Sequence, residues 1–221
     1  MNTRTQFARV SFATPSSSPG AVPALPVSWR DAVPVLTGEH CLLREVRVSD
    51  ASTLLPVLTA PDVARFISPP PASVERFGWF ITWSQREREA GRYLALAILP
   101  HADPSPVGLL QLRQLEPGFH VAEWGVAMAA RYWGAGLFLD ASRLLLDFAF
   151  NELGVHRLEA RAAVANGRSQ AAMLKLGAVQ EGVLRQSLTT SDGQRLDQTL
   201  WSVLADDWHQ LTSRPDAPHV H

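Results

Sequence analysis

Val121-Ala-Glu-Trp-Gly-Val-Ala-Met-Ala-Ala-Arg-Tyr-Trp-Gly-Ala-Gly-Leu137 reads as a strand, a tight turn and the start of a helix. Alternation predicts the strand over His120–Met128. The helix that follows repeats apolar residues at Leu137, Ala141, Leu144, Leu145 and Phe148, a one-faced helical period. A turn of this kind aims several backbone N–H groups at one point beside the positive end of the helix dipole. Both features favour a bound anion, most obviously a pyrophosphate. Gly134 and Gly136 suit the turn because a backbone without Cβ approaches a ligand closely and takes positive φ. A Walker loop is excluded, because Leu137-Phe138 stands where that loop needs Lys-Ser/Thr. A dinucleotide fingerprint calls for a third small residue at 139, which is Leu139. Glu159 supplies an acid at about the right distance, so the acid alone does not exclude that reading.

Outward from the turn, three more segments matter. They are Asn166-Gly-Arg-Ser169, Lys175-Leu-Gly-Ala178 and Glu181-Gly-Val-Leu-Arg185. Together with Arg131-x-x-Gly134-x-Gly136 after a Glu-x-Gly strand, their order resembles the GNAT N-acetyltransferases. Their order and spacing look like the RimJ/RimL-like branch, which acetylates the N-termini of ribosomal proteins. The resemblance runs from about Glu39 to Trp208. It implies acetyl-CoA as cosubstrate, lying along Val126, Ala127 and Met128. It also implies that the cofactor is held by Arg131, Tyr132, Trp133, Gly134, Ala135, Gly136 and Leu137, with Asn166 beside it. The motifs are specific for fold and cofactor and poor for the acceptor.

The chain of 221 residues suits one domain, possessing an ordinary hydrophobic fraction of 46%. A net charge of −1 argues against a general nucleic-acid binder. No apolar run reaches the length of a membrane span. The single Cys41 lies in a strand-like Cys-Leu-Leu and is expected to be buried. It forms no internal disulfide, which fits a reducing, cytoplasmic compartment. Neither paired cysteines nor a His-Glu-x-x-His pattern points to a metal site. The oligomeric state is left open between monomer and homodimer.

Residues 1–33 differ from the rest. Thr14-Pro-Ser-Ser-Ser-Pro-Gly20 is turn-rich, Pro23, Pro26 and Pro34 follow, and there is no continuous apolar core of a secretory signal. A flexible arm is expected over 1–33, a catalytic domain over 34–212 and a tail over 213–221. Within the domain, Glu39–Val48 reads as a strand, Asp50 as the cap of a short helix through Leu58, and Asp62–Pro71 as a loop. Ser73 caps a longer helix ending at Gly91. In that helix Val74, Phe77, Phe80 and Ile81 mark one apolar face, and Trp79 and Trp83 sit one turn apart on a second stripe. Core packing is the plainer reading of this tryptophan pair. The functional readings are an acceptor-pocket wall or a subunit contact.

Tyr93–Leu99 and Val107–Arg113 read as a hairpin. His156–Ala162 is a strand with one buried face, and Asn166 caps a short helix closed by Gly177. Val179–Ser187 and Asp197–Leu204 form a final hairpin around Asp192-Gly193. A helix between the opening strand and His156–Ala162 implies a parallel pair. The expected fold is α/β: a mixed, mostly antiparallel sheet of six or seven strands flanked by about four helices, which is also what the resemblance implies.

Acyl transfer from a thioester to an amine needs a held cofactor, a base for the amine and stabilisation of the thioester oxygen. Glu123 is the candidate base, and the alternative is an exposed strand carboxylate. Ser169 is the candidate proton donor to the leaving thiolate. Many relatives use a tyrosine farther along this helix, but Met173, Leu174 and Leu176 occupy that segment here. The acceptor is then an amine, either a protein N-terminus or a small molecule. A non-catalytic acyl-CoA-binding or regulatory module is the alternative from another class.

Overall fold

A computed structural model describes residues 28–213. Its eight strands form one sheet in the order β1-β2-β3-β4-β5-β6-β8-β7. They are β1 (Leu36–Thr37), β2 (Cys41–Glu45), β3 (Tyr93–Pro100), β4 (Gly108–Gln114), β5 (Val121–Met128), β6 (Arg157–Ala163), β7 (Val179–Thr189) and β8 (Arg195–Leu204). The helices are α1 (Ala51–Thr59), α2 (Pro61–Ala64), α3 (Val74–Glu89), α4 (Leu137–Asn151), α5 (Gly167–Lys175) and α6 (Ala205–Thr212). Every neighbouring strand pair is antiparallel except β5 and β6, which α4 connects in parallel. The mixed α/β architecture is the expected one, with two small additions. Gly38–His40 turn the chain, so the expected first strand splits into β1 and β2, paired Leu36↔Leu43 and Thr37↔Leu42. Pro61 stands at the first position of a one-turn helix that runs into the start of the expected loop, where its missing N–H costs nothing.

Strand alternation divides the apolar side chains between two cores. On one face Leu94, Leu96 and Ile98 of β3 and Ala122, Trp124 and Met128 of β5 pack against Leu137, Ala141 and Leu145 of α4. On the other, Tyr93, Ala95, Ala97 and Leu99 meet Leu54 and Leu58 of α1 and Phe77 and Ile81 of α3. Being covered on both sides, β3 is buried along all 8 of its residues. Helix α3 starts as its sequence predicts, with Ser73 Oγ accepting the Arg76 N–H at 3.2 Å.

Three expectations change. Asp50 does not cap α1 with its side chain. Its carboxylate accepts the Arg47 N–H at 2.8 Å and receives Arg44 at 2.7 and 2.8 Å, so it closes the 3₁₀ turn Val48–Asp50 one step earlier. Trp79 and Trp83 are not core residues: they are 63% and 46% exposed. Phe77, Ile81 and the glycine at 78 already fill the space between α3 and the sheet, which leaves the tryptophan stripe outward.

The third concerns the N-terminal arm. Residues 1–27 lie outside the described residues, but Trp29 packs edge-on against Phe119, with ring centroids 5.4 Å apart and planes at 72°. Arg88, only 6% exposed, donates to the Arg30 carbonyl oxygen and to Glu45 Oε1, the latter at 2.6 Å. Residues 28–33 therefore belong with the folded body, and a chain begun near Asp31 would leave a buried guanidinium short of an acceptor. Trp29→Ala should cost about 2 kcal/mol of stability, below the range for a fully buried tryptophan because Trp29 is only half-buried. Urea unfolding monitored by circular dichroism measures it.

Candidate active site

The site begins where two strands part. β5 pairs with β4 to its end, at Gly108↔Met128, but its pairing with β6 stops at Trp124↔Ala160. The ladder's alternation decides which amides are left over. Ala129 N–H donates to Val107 O at 2.9 Å and Leu115 N–H donates to Val121 O at 2.8 Å, so the odd-numbered residues of β5 face β4. Val126 and Met128 then direct their main-chain groups into the opening. The Met128 carbonyl is taken by the Trp133 indole N–H at 3.0 Å. The Val126 amide and carbonyl are left as a short free edge, the kind of edge an extended chain of amides pairs with.

Two helix N-termini border this opening. The glycine turn leads into α4 with Gly134 at φ +83° and Gly136 at φ +79°. α4 has no side-chain cap, so its first-turn N–H groups keep their donors. The acid in its first turn, Asp140, is used elsewhere. Its carboxylate accepts the N–H groups of Glu39, His40 and Cys41 at 3.1, 2.8 and 3.1 Å, and so ties the β1–β2 turn to α4. Burial alone would raise the Asp140 carboxyl, but the bonds from His40, Glu39 and Cys41 hold it below the usual range. This anchoring sets the His40 ring against Gly136, where an added Cβ would lie 3.1 Å from the imidazole. At Gly134 an added Cβ would meet nothing within 4 Å. Gly134 is therefore required by its positive φ and not by close packing within the protein.

Across the opening, Asn166 Oδ1 accepts the Ser169 N–H at 3.2 Å and caps α5, as its sequence predicts. The Ser169 hydroxyl has no hydrogen-bond partner among the described residues. Between these two residues, Arg168 lays its guanidinium over the Trp133 ring at 4.3 Å. This contact places a fixed cation beside the glycine turn. Local sequence does not single out Arg168, because its partner Trp133 belongs to the turn before α4 and meets it only in the folded chain. Its one signal is a cation inside the Asn-Gly-Arg-Ser segment.

Glu123 sits on β5 just before the parting, on the face away from α4. Arg113 of β4 is its register partner, with Nη2 2.5 Å from Glu123 Oε2, and Arg161 of β6 approaches to 3.8 Å. The carboxylate is 18% exposed. It is thus neither the solvated strand carboxylate of the plainer reading nor a free group, but one oriented by a guanidinium. A second polar cluster lies farther along the same sheet. Arg157 bridges Glu159 at 3.0 Å and Glu181 at 2.5 Å, and Arg157 with the Ser202 hydroxyl holds the Glu181 carboxyl down at about 2.

A cleft of about 980 Å³ joins these parts. It brings together Glu123, Val126, Ala127, Met128, Trp133, Gly134, Gly136, Asn166 and Ser169. It leaves out Arg131, Tyr132, Ala135 and Leu137. Leu137 is 3% exposed because its side chain points into the core, and Arg131 lies over the Tyr132 ring at 5.0 Å. The side chains of these four do not line the cleft, since a turn that points its amides inward directs its side chains elsewhere. The far wall is apolar, built from Phe66, Ile67, Phe77 and Phe80 with Leu188. Cys41 lies outside the cleft, fully buried, with its thiol pushed up by burial and by the Asp140 carboxylate that it donates to. A thiol of that kind offers no nucleophile.

A parted parallel pair, an uncapped helix start at its mouth and a carboxylate at its base thus meet in one cleft of an α/β protein. Residues 40–179 match the acetyltransferase (GNAT) domain, and the chain belongs to that family. Among its relatives, a Bacillus subtilis (strain 168) protein that bears the name of a ribosomal N-acetyltransferase, YdaF, is 33% identical over 106 residues. That match covers 48% of this chain and 57% of the relative. The chain thus spans little more than half the length of that curated relative.

The ribosomal-protein-S5-alanine acetyltransferase of Vibrio fischeri superposes with a TM-score of 0.71 at 20% identity, over 79% of this chain and 98% of that one. RimJ of Mycobacterium smegmatis, solved with CoA-disulfide, gives 0.69 at 24% identity over 81% and 90%. At these identities the two structures speak for the fold.

Proposed function

We propose that the protein transfers the acetyl group of acetyl-CoA to an amine, and that the acceptor is the N-terminal α-amine of a polypeptide. The observation that carries this reading is the parting of β5 from β6 after Trp124↔Ala160, flanked by the uncapped start of α4 and by Glu123. The residues present fit the cosubstrate. The α4 N-terminus with Gly134 and Gly136, together with Arg168, suits a pyrophosphate. The free edge at Val126 suits the amides of a pantetheine arm. Acetyl-CoA, when bound, supplies the acetyl thioester.

The chain's own residues then do three things. Glu123, oriented by Arg113, takes a proton from the incoming amine directly or through a water. The Val126 N–H donates to the thioester oxygen. Ser169 returns a proton to the leaving sulfur from a hydroxyl that no other described group occupies. Cys41 plays no part, so the acetyl group passes to the amine in one attack and not through an acyl-cysteine. The RimJ-like names of its relatives favour a peptidic acceptor over a small amine. A single buried cysteine accords with a reducing, cytoplasmic setting.

Thiol release from acetyl-CoA, followed over a panel of free-N-terminus peptides, N-blocked lysine peptides and polyamines, tests the proposal. Turnover should be confined to the free-N-terminus peptides. Calorimetric binding of CoA with no turnover on any amine would instead assign a non-catalytic acyl-CoA-binding module.

A further inference from the structure

Helix α3 carries a feature that the reaction does not use. Arg76, Trp79, Trp83 and Arg86 follow one another at spacings of three, four and three residues, so they share one stripe of the helix. All four are exposed, with Trp79 at 63% and Trp83 at 46%. Neither Arg76 nor Arg86 has an ion-pair partner among the described residues. Glu75 and Glu89 border the stripe, Glu89 lying 3.7 Å from Arg88, while Glu87 is held by Arg92 at 2.6 Å.

The stripe is continuous with the cleft. Phe80 lines the cleft and packs on Trp83, ring centroids 5.8 Å apart, and Trp83 packs on Tyr93 at 4.9 Å. Tyr93 donates its hydroxyl proton to Gln111 of the cleft wall at 2.8 Å. In register, Tyr93 stands opposite Arg113, and Arg113 opposite Glu123. The path from the candidate base to Tyr93 thus crosses two strand spacings, about 10 Å, or roughly three residues of extended peptide, and the Trp83 ring packs on Tyr93 at that point. From Arg76 to Arg86 the helix then rises about 15 Å. That is the length of four or five more extended residues.

We propose that this stripe is the docking surface for the acceptor polypeptide downstream of its amine. Residues at about positions 4–8 would lie along α3, with apolar side chains on Trp79 and Trp83 and carboxylates at Arg76 and Arg86. The inference rests on the acetyltransferase reading and deepens it: the acceptor is an N-terminal segment with apolar and acidic residues after its first three. Charge separates this occupant from the chain's own N-terminal segment. Residues 1–27 contain Arg4 and Arg9 and no acid, so they match the charge of the stripe instead of complementing it.

The test compares a tripeptide with a ten-residue peptide of the same first three residues, whose positions 4–8 alternate Leu and Glu. The enzymes are the parent, Trp79→Ala/Trp83→Ala and Arg76→Glu/Arg86→Glu. Both variants should raise KM for the long peptide by about 10–30-fold, the scale of losing an aromatic anchor. They should leave kcat, acetyl-CoA KM and the tripeptide KM unchanged. Equal behaviour of the two peptides across all three enzymes overturns the proposal.

Two further outcomes also overturn it. A parent dimer that dissociates in the tryptophan variant with peptide KM unchanged assigns the stripe to a second copy. A lowered Tm with peptide KM unchanged assigns it to a segment of the same chain. If the parent acetylates no peptide, tryptophan fluorescence titrated with the long peptide still decides. Quenching in the parent that is lost in Arg76→Glu/Arg86→Glu, which keeps both tryptophans, upholds the surface without the chemistry, and no quenching in the parent, or quenching that survives in that variant, removes it.

Discussion

Glu123→Gln should lower kcat by about 10²–10⁴ at neutral pH, the worth of a positioned general base. The glutamine keeps the shape, and its carbonyl still accepts the Arg113 guanidinium that lies 2.5 Å from the native carboxylate, so the strand register and the cleft should persist. Acetyl-CoA affinity should change little. The size of the effect follows from what the acceptor needs. An α-amine with a pKa near 7.7–8.0 costs roughly 1–1.5 kcal/mol to deprotonate at pH 7, whereas a lysine near 10.4 costs over 4.

A carboxylate working through one water serves the first task without any special basicity, and this is a further reason to expect an α-amine acceptor. Raising the pH should restore part of the variant's rate as the free-amine fraction climbs. Steady-state kinetics from pH 6 to 9 checks this. An unchanged kcat across that range would remove Glu123 from the chemistry and leave positioning to carry the reaction.

The second large effect concerns the glycine turn. Gly134→Glu should weaken acetyl-CoA binding by about 100-fold or more. The replacement sets a carboxylate where the pyrophosphate is proposed to sit, among the α4 amides and within reach of Arg168. Gly134 is a better probe than Gly136. An added Cβ at 136 would press on His40 at 3.1 Å, mixing a fold defect with a binding defect. At 134 the added carbon meets no protein atom within 4 Å, and the strain of a positive φ, on the order of 1–2 kcal/mol, is a local cost. Gly134→Ala separates the two contributions: it carries the same backbone strain without the charge and should lose far less affinity than Gly134→Glu. Calorimetry with CoA gives both values. Native affinity in the Glu variant would mean that the anion lies elsewhere.

Much of this protein was legible in the chain because it depends on short windows. The strand, turn and helix around Gly134 and Gly136, the Asn166 cap and the Ser73 cap each follow from neighbours a few residues apart, where hydrogen-bond geometry and side-chain period act locally. The parallel pairing of β5 with β6 follows equally directly, since a helix between two strands of one sheet brings the second back in the same direction.

The tertiary structure alone decided the rest, because it depends on residues that only the folded chain brings together. Glu123 meets Arg113 through strand register, and Arg168 covers Trp133 because α5 and the turn face the same opening. Asp140 binds the His40 N–H from 100 residues away, and Arg88 reaches Arg30 across 58. Trp79 and Trp83 carry the composition of a core and stand outside it. A helix buries only the stripe that a sheet can reach, and on α3 Phe77 and Ile81 hold that place. Periodicity names the faces of a helix, and only the packed neighbours decide which face turns inward.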